Sequence, residues 1–275
     1  MQTTVKKPVQ CRGINIKGTG EAKITLEPAP ADTGILFIRE DLPGTPVVRC
    51  CSEDALVDSR WTSLEQNGVR VEHTEHLLAA VRGMGIDNLV VRMNCSSLPV
   101  VDGYSCRAFV QAVLRVGLQQ QQVPKRYIEV KEPCLLKDEF YYRRKRFNKY
   151  IAALPARNLE LTYILDYPDQ SLPSQGASYI INREIFINQL ADARSYITGE
   201  EYQLVAELIG KGMESVLVFS KGKAPRLRYA NEPARHKLVD LLGDLGTAGC
   251  NIKGKFIAFR SGHKLNIEMI KKITK

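Results

Sequence analysis

A histidine and two aspartates follow at four-residue spacing in the stretch NEPARHKLVDLLGD, residues 231–244. A proline near the start and glycines after the stretch predict a helix from about Glu232 to Leu245. His236, Asp240 and Asp244 would then share one face of this helix. An imidazole and a carboxylate one turn apart can bind a divalent metal ion, because both project from one rigid element. Catalytic zinc usually has three protein ligands and an open position for water, so the helix needs a further ligand from elsewhere.

Histidine is scarce enough in this chain to limit where that ligand can come from. Only four occur, and they lie in three short motifs: His73 and His76 in VEHTEHLLAAVRGMG, His236 in the helix above, and His263 in RSGHKLN. Any one of them alone is more simply explained as an ordinary polar side chain. All of them together favour a shared metal or catalytic site.

The apolar pattern predicts the elements that position these motifs. A helix over 69–82 would carry Glu75 and His76, and a helix from about Cys106 to Val116 would turn Phe109, Val113 and Leu114 inward. The other predicted helices lie at about 183–193, in EEYQLVAELIG and at the C-terminus. Strands are predicted in INIKG, KITLEPA, ILFIRED, VVRCC, IDNLVVRMN, YIEV, YIAALP, LELTYIL, SYII, ESVLVFS and KFIAFR.

The order of these elements repeats in the second half without an obvious sequence repeat. Strands grouped beside helices and joined by short turns predict an α+β fold of two domains, each a mainly antiparallel sheet packed against helices. The polar segment QQQQVPK at 119–125 predicts a linker between a first domain over 1–118 and a second over 126–275. Because the motifs divide between the halves, the site is predicted at the interdomain cleft.

Composition indicates an ordinary cytoplasmic globular protein. The 275 residues are 44% hydrophobic and 25% charged, with no apolar run approaching the roughly 20 residues of a membrane span. The N-terminal MQTTVKKPVQ lacks the apolar core of a secretory signal. The seven cysteines form no CxxC pair, which is typical of reduced thiols. We therefore expect no stable membrane insertion, with a monomer as the default.

The net charge of +9 is compatible with nucleic acid, an anionic membrane surface or a phosphorylated small substrate as partner. Its densest cluster, RRKRFNK at 143–149, follows acidic and aromatic residues. A hairpin with a solvated basic flank explains this cluster without a ligand. No aromatic RNA-binding motif or zinc-finger spacing supports a nucleic-acid partner.

Six motifs together resemble one family nearly from end to end. They are EHLLAAVRGMGIDN at 75–88, LPVVDGYS at 98–105, ILDYP at 164–168, ARSY at 193–196, EPARHKLVDLLGDL at 232–245 and RSGHKLN at 260–266. In order and spacing the chain resembles the zinc-dependent UDP-3-O-acyl-N-acetylglucosamine deacetylases of lipid A biosynthesis. The resemblance implies hydrolysis of the N-acetyl group of a UDP-linked acylated amino sugar. It also implies two α+β domains with the site between them, and an insert at about 197–225 that forms an acyl-chain passage.

The resemblance also implies the site residues, position by position. The metal ligands would be His76, His236 and Asp240, holding zinc or alternatively iron, and the catalytic group would be Glu75, His263, Asp244, Lys237 and Ser195. Glu75 would be the general base and His263 the catalytic histidine, oriented by Asp244. Lys237 would be a basic residue of the site, and Ser195 stands where the family has a threonine near the oxyanion.

Three positions depart from the family pattern: Lys17 stands for its usual histidine, His73 for a threonine and Leu154 for a basic residue. None belongs to the implied set of metal, base and acid residues. His73 could be a fourth ligand or a substrate contact, although a role behind the ligands is favoured. Two other functions stay open, namely another zinc amidase or peptidase and a catalytically altered member that only binds a nucleotide sugar. The three-residue histidine spacing of HTEH does not match H-E-x-x-H, which argues against the peptidase.

Overall fold

The computed structural model describes residues 1–58, 60–168, 171–221 and 225–275. Among them, no helix combines the length and the apolar character needed to cross a bilayer. The described part of the first half contains ten strands and two helices: β1 (Thr3–Val5), β2 (Val9–Ile14), β3 (Glu21–Pro28), β4 (Ile35–Arg39), β5 (Val47–Arg49), β6 (Ala55–Asp58), β7 (Trp61–Gln66), β8 (Val69–Val71), α1 (Glu75–Met84), β9 (Leu89–Met93), α2 (Arg107–Val116) and β10 (Leu118–Gln120).

The second half has the same mixed character. Its elements are β11 (Tyr127–Glu129), β12 (Cys134–Tyr142), β13 (Lys145–Leu154), β14 (Leu159–Leu165), β15 (Gln175–Ile180), α3 (Arg183–Ile185), β16 (Tyr196–Thr198), α4 (Tyr202–Ile209), β17 (Leu217–Phe219), α5 (Glu232–Gly246), β18 (Asn251–Phe259) and α6 (His263–Ile273). Short helical segments add to them: a π-helix at Phe186–Leu190 and 3-10 helices at Asp102–Tyr104, Gly199–Glu201 and Gly210–Ser215.

The main sheets of the two halves share the same order and pairing of five strands. Their strand orders are β2-β3-β9-β4-β5 and β12-β13-β18-β14-β15. In each of these orders the third and fourth strands pair in parallel and the other neighbours pair antiparallel. The second sheet has one more strand, β11, which pairs in parallel with β18. The predicted α+β class and the repeated order of elements are confirmed.

Strand sequences show why these sheets have one face against the helices. Buried and partly exposed positions alternate along β18, so that Ile252, Phe256 and Ala258 point to the same side. Strand β3 alternates in the same way. The predicted basic hairpin is also present, since β12 and β13 pair from Tyr142↔Lys145 through Cys134↔Ala153.

Helices α1 and α5 pack against each other at a small residue. A Cβ added to Gly243 of α5 would lie 1.9 Å from the backbone oxygen of Glu75 in α1. A contact this close leaves no room for any side chain at residue 243. The first turn of α1 is thereby held against the C-terminal part of α5.

Three local predictions are wrong. The strand predicted in INIKG is not formed, because β2 ends at Ile14 and residues 15–18 form a turn in which the Gly18 N–H donates to the Asn15 carbonyl oxygen at 2.9 Å. Residues 69–71, expected to begin a helix, form β8, and the reversal between β7 and β8 uses Asn67 and Gly68, both with positive φ. Asn-Gly is the preferred pair for such a two-residue hairpin turn, so this signal outweighs the apolar pattern that follows it. Leu114 is 54% exposed, because α2 buries the stripe around Phe109 and Val113 instead.

The structure adds detail to the predicted linker and insert. The segment 119–125 begins within β10, which pairs antiparallel with β1. The insert at about 197–225 contains most of β16, then α4 and β17, and β16 pairs in parallel with β17. Residues 222–224 of the insert lie outside the described part of the chain.

Candidate metal centre and active site

The three histidine motifs meet because helices from both halves of the chain border one cavity. Glu75 and His76 are the first residues of α1, and His263 is the first residue of α6. Helix α5 contributes His236 and Asp240. All of these residues line an open cavity of about 430 Å³. Residues 160 positions and more apart in sequence therefore share one site.

Two imidazoles and one carboxylate converge in this cavity. The Asp240 Oδ1 atom lies 3.3 Å from His76 Nε2 and 3.4 Å from His236 Nε2. The candidate ligand atoms of the three residues all lie within 4.8 Å of one another, and all three residues are buried. Two nitrogen donors and one oxygen donor beside an open cavity fit the ligand set of a catalytic zinc ion.

The ionisation of this trio suits a cation. Burial lowers the pKa of His236 to about 4, so that its imidazole is neutral at pH 7. Burial alone would raise the pKa of Asp240, but the Lys237 charge and the neighbouring histidines hold it well below its ordinary value. The Lys237 ammonium donates to Asp240 Oδ2 at 2.8 Å. Asp240 is therefore a carboxylate whose second oxygen is already satisfied.

The remaining ring nitrogens fix how the two imidazoles point. His236 Nδ1 donates to the Ala193 carbonyl oxygen at 3.1 Å, which leaves Nε2 with a free lone pair. His76 Nδ1 lies 2.9 Å from His73 Nε2. Burial lowers the pKa of His73 well below its ordinary value, so this partner is neutral as well.

Glu75 is a buried carboxyl beside the trio. Its Oε2 atom accepts a hydrogen bond from the Thr62 backbone N–H at 3.0 Å. Burial raises the pKa of Glu75 to about 7, although the charges of His263 and His76 oppose that rise. A carboxylate whose pKa lies near the working pH can take up and release a proton readily.

His263 is protonated at neutral pH, in contrast to the nearly half-ionised Glu75, because its imidazole is hydrogen-bonded to a buried carboxylate. Its Nδ1 donates to both oxygens of Asp244, at 3.0 and 3.1 Å. Burial alone would lower the pKa of His263, but the charge of Asp244 and this hydrogen bond raise it to about 9. The imidazole is thus a cation at pH 7, opposite a carboxyl that titrates near 7.

Two residues that the sequence analysis missed complete the surroundings of Asp244. The Thr62 hydroxyl donates to Asp244 Oδ1 at 2.6 Å, and the Asn266 amide donates to Oδ2 at 2.8 Å. Asn266 is one turn after His263 in α6, so helical spacing could have revealed it. Thr62 lies in β7, far from the motifs, and no local signal connects it with them.

Part of the cavity lining is apolar. A small hydrophobic cluster joins residues of the first half to the insert, and most of its members line the cavity: Ile16, Trp61, Tyr104, Ile197, Val205 and Ile209. The lining also contains charged side chains, namely Asp138, Lys149, Lys237 and Lys264. An amphiphilic ligand with one acyl tail and one anionic part would match this mixed lining.

The other predicted residues are placed as follows. Ser195 lines the cavity and is anchored through its backbone, which donates to the Gly103 oxygen at 2.8 Å and accepts from Leu217 N–H at 3.0 Å. Lys17 is exposed and Leu154 is partly exposed in β13, and neither belongs to the cavity lining.

Comparison with known proteins yields one family. The family model described as UDP-3-O-acyl N-acetylglycosamine deacetylase (LpxC) matches residues 2–275. The chain is similar to the UDP-3-O-acyl-N-acetylglucosamine deacetylase of Thermosynechococcus vestitus, with 32% identity over 99% of this chain and 93% of that protein. Proteins of the same name from Bdellovibrio bacteriovorus and Haemophilus ducreyi are each 30% identical, over 99% of this chain and 89% of theirs.

Proposed function

The chain belongs to the UDP-3-O-acyl N-acetylglycosamine deacetylase family, and from that membership we propose its reaction. It hydrolyses the N-acetyl group of UDP-3-O-acyl-N-acetylglucosamine, giving acetate and UDP-3-O-acyl-glucosamine in lipid A biosynthesis. The observation that carries this proposal is the convergence of His76, His236 and Asp240 within 4.8 Å, in a cavity shared with Glu75 and His263.

The metal proposal assigns His76, His236 and Asp240 as ligands of one zinc or ferrous ion. Such an ion, when bound, lowers the pKa of water and polarises the acetyl carbonyl. The chain's own contribution is to keep two imidazole nitrogens and one carboxylate oxygen pointing at one place. Lys237 fixes the carboxylate of Asp240 by donating to Oδ2, the oxygen that does not face the imidazoles.

Glu75 and His263 divide the proton transfers between them. The Glu75 carboxylate accepts the proton of the attacking water, a role for a base whose pKa lies near 7. His263, protonated through Asp244, hydrogen-bonds to the developing oxyanion and then gives its proton to the departing sugar nitrogen. We assign Ser195 to the neighbourhood of the same oxyanion.

The mixed lining of the cavity accounts for the rest of the substrate. The apolar residues of the insert, packed with Ile16, Trp61 and Tyr104, receive the acyl chain. The lysines of the lining receive the diphosphate. We further propose two domains divided at 119–125, a monomeric enzyme and a cytoplasmic location.

The proposal is tested by acetate release from UDP-3-O-acyl-N-acetylglucosamine, measured together with zinc content. We expect activity to disappear with a chelator and to return with zinc. Asp240→Ala should lose both metal and activity, because it removes the carboxylate that lies against both imidazoles. Glu268→Ala, which removes an exposed carboxylate from α6, is the matched control. Zinc binding without acetate release would point to a protein that only binds the sugar.

A further inference from the structure

A fourth histidine lies directly behind the candidate ligand His76. His73 is 3% exposed, and its Nε2 atom is 2.9 Å from His76 Nδ1. Its ring meets the Tyr104 ring edge-on, with centroids 5.3 Å apart and planes at 86°. The two imidazoles are thus held in one arrangement by packing as well as by a hydrogen bond.

This contact couples the protons of the two rings. If His76 binds the ion through Nε2, its proton is on Nδ1, and that N–H donates to His73. His73 Nε2 must then be the acceptor, so the proton of His73 is on its own Nδ1.

We propose that His73 is a positioning residue of the metal centre, whose Nε2 holds His76 in the tautomer and ring orientation that bind the ion. The proposal rests on the proposed function, because it takes His76 as a ligand. A histidine ligand commonly donates its second N–H to a carboxylate or a backbone carbonyl, as His236 does to Ala193. In this chain an imidazole takes that place for His76.

Two local features indicate that the functional atom of His73 is Nε2. Its Nδ1 is buried and makes no hydrogen bond with any described residue, which is destabilising for a buried donor. Its backbone has a φ of 62°, which is uncommon for residues other than glycine, although histidine is among those that adopt it more often. A side chain that only filled space at this position would avoid the unpaired donor.

His73 could alternatively bind a second ion together with Glu75 and His76, since the candidate ligand atoms of these three also lie within 4.8 Å of one another. The hydrogen bond argues against this use. A lone pair that accepts from His76 Nδ1 at 2.9 Å is not available to a metal ion.

The test replaces His73 by glutamine or by asparagine, whose amide groups lie at different distances from the backbone. In His73→Gln the amide group reaches about as far as the original Nε2 and can still accept from His76, whereas in His73→Asn it reaches only the position of Nδ1. We expect zinc affinity, measured on the apoprotein by chelator competition, to stay within about threefold for His73→Gln. For His73→Asn we expect it to fall about 10- to 100-fold. Asparagine tolerates a positive φ better than glutamine, so backbone strain alone predicts the opposite order.

Long-range proton–nitrogen spectra of the zinc-loaded native protein give a second readout that does not depend on variant folding. They should show His76 protonated at Nδ1 and His73 accepting at Nε2. A bare Nδ1 on His76 would overturn the proposal, and so would equal zinc affinity in both variants. Loss of one of two bound zinc equivalents would identify His73 as a ligand of a second ion instead. Unchanged zinc affinity with a raised KM would identify a substrate contact.

The same measurements separate this proposal from the proposed function. Zinc binding that follows the expected Gln and Asn order, without acetate release, would leave the role of His73 standing while the reaction fails. If His76→Ala bound zinc as tightly as the native protein, the ligand assignment would itself be wrong.

Discussion

Replacing Asp244 by asparagine tests how the protein keeps His263 protonated. The pKa of His263 is raised from 6.5 to about 9, and the cause that overcomes burial is the Asp244 carboxylate. Asparagine keeps the shape and can still accept from His263 and Asn266, while the Thr62 hydroxyl can turn to accept from the new amide N–H. The substitution therefore removes the charge with little change in packing.

The size of the effect follows from that change in pKa. A fall from about 9 to 6.5 or below corresponds to about 3 kcal/mol between the two protonation states of His263. At pH 7.5 a histidine of pKa 6.5 is about one tenth protonated, so kcat/KM should drop about tenfold from population alone. The basic limb of the pH profile should move from about pH 9 toward pH 6.5, and activity should partly recover on acidification.

The sign of the stability effect is also determined. A histidine whose pKa is raised by folding stabilises the protein fully below its unfolded pKa of about 6.5, and this contribution is lost as pH rises through about 9. The native protein should therefore become less stable between those pH values, and Asp244→Asn should lack that dependence.

The assay combines pH–rate profiles with histidine NMR titration, which is tractable because the chain has four histidines. Asp138→Asn is the matched control: Asp138 lines the same cavity, but its contact is with Lys264 at 3.5 Å. It should leave the basic limb near pH 9. An Asp244→Asn protein whose His263 still titrates near 9 would refute the proposed source of the charge.

Two further substitutions test the base and the helix contact. Glu75→Gln should lower kcat by about 10²- to 10⁴-fold with zinc content and melting temperature retained, because glutamine can still accept from Thr62 N–H; full turnover would exclude Glu75 as the base. Gly243→Ala should destabilise the protein by at least about 1–3 kcal/mol in urea unfolding, because its Cβ would lie 1.9 Å from the Glu75 oxygen. Gly20→Ala, where the nearest atom is 3.5 Å away, is its control, and equal stability of the two variants would contradict the packing argument.

Much of the fold could be predicted because its patterns are local. The spacing of His236 and Asp240 placed them on one helix face, and the structure has α5 over Glu232–Gly246 with these side chains 3.4 Å apart. The basic run at 143–149 predicts a hairpin, which β12 and β13 form. The error at 69–71 is also local, because the Asn67–Gly68 turn that joins β7 to β8 is itself a sequence signal and outweighs the apolar pattern after it.

Local patterns in the chain show which residues share a helix face, where turns lie and which scarce side chains could do chemistry. Three contacts depend instead on how distant segments pack: His76 lies 3.3 Å from Asp240, Thr62 and Asn266 donate to Asp244, and His73 lies behind His76. The two kinds of information differ in their range along the chain. Periodicity reports neighbours within a few residues, whereas contacts across 164 positions and the opposed pKa values of Glu75 and His263 depend on burial and charge in the packed molecule.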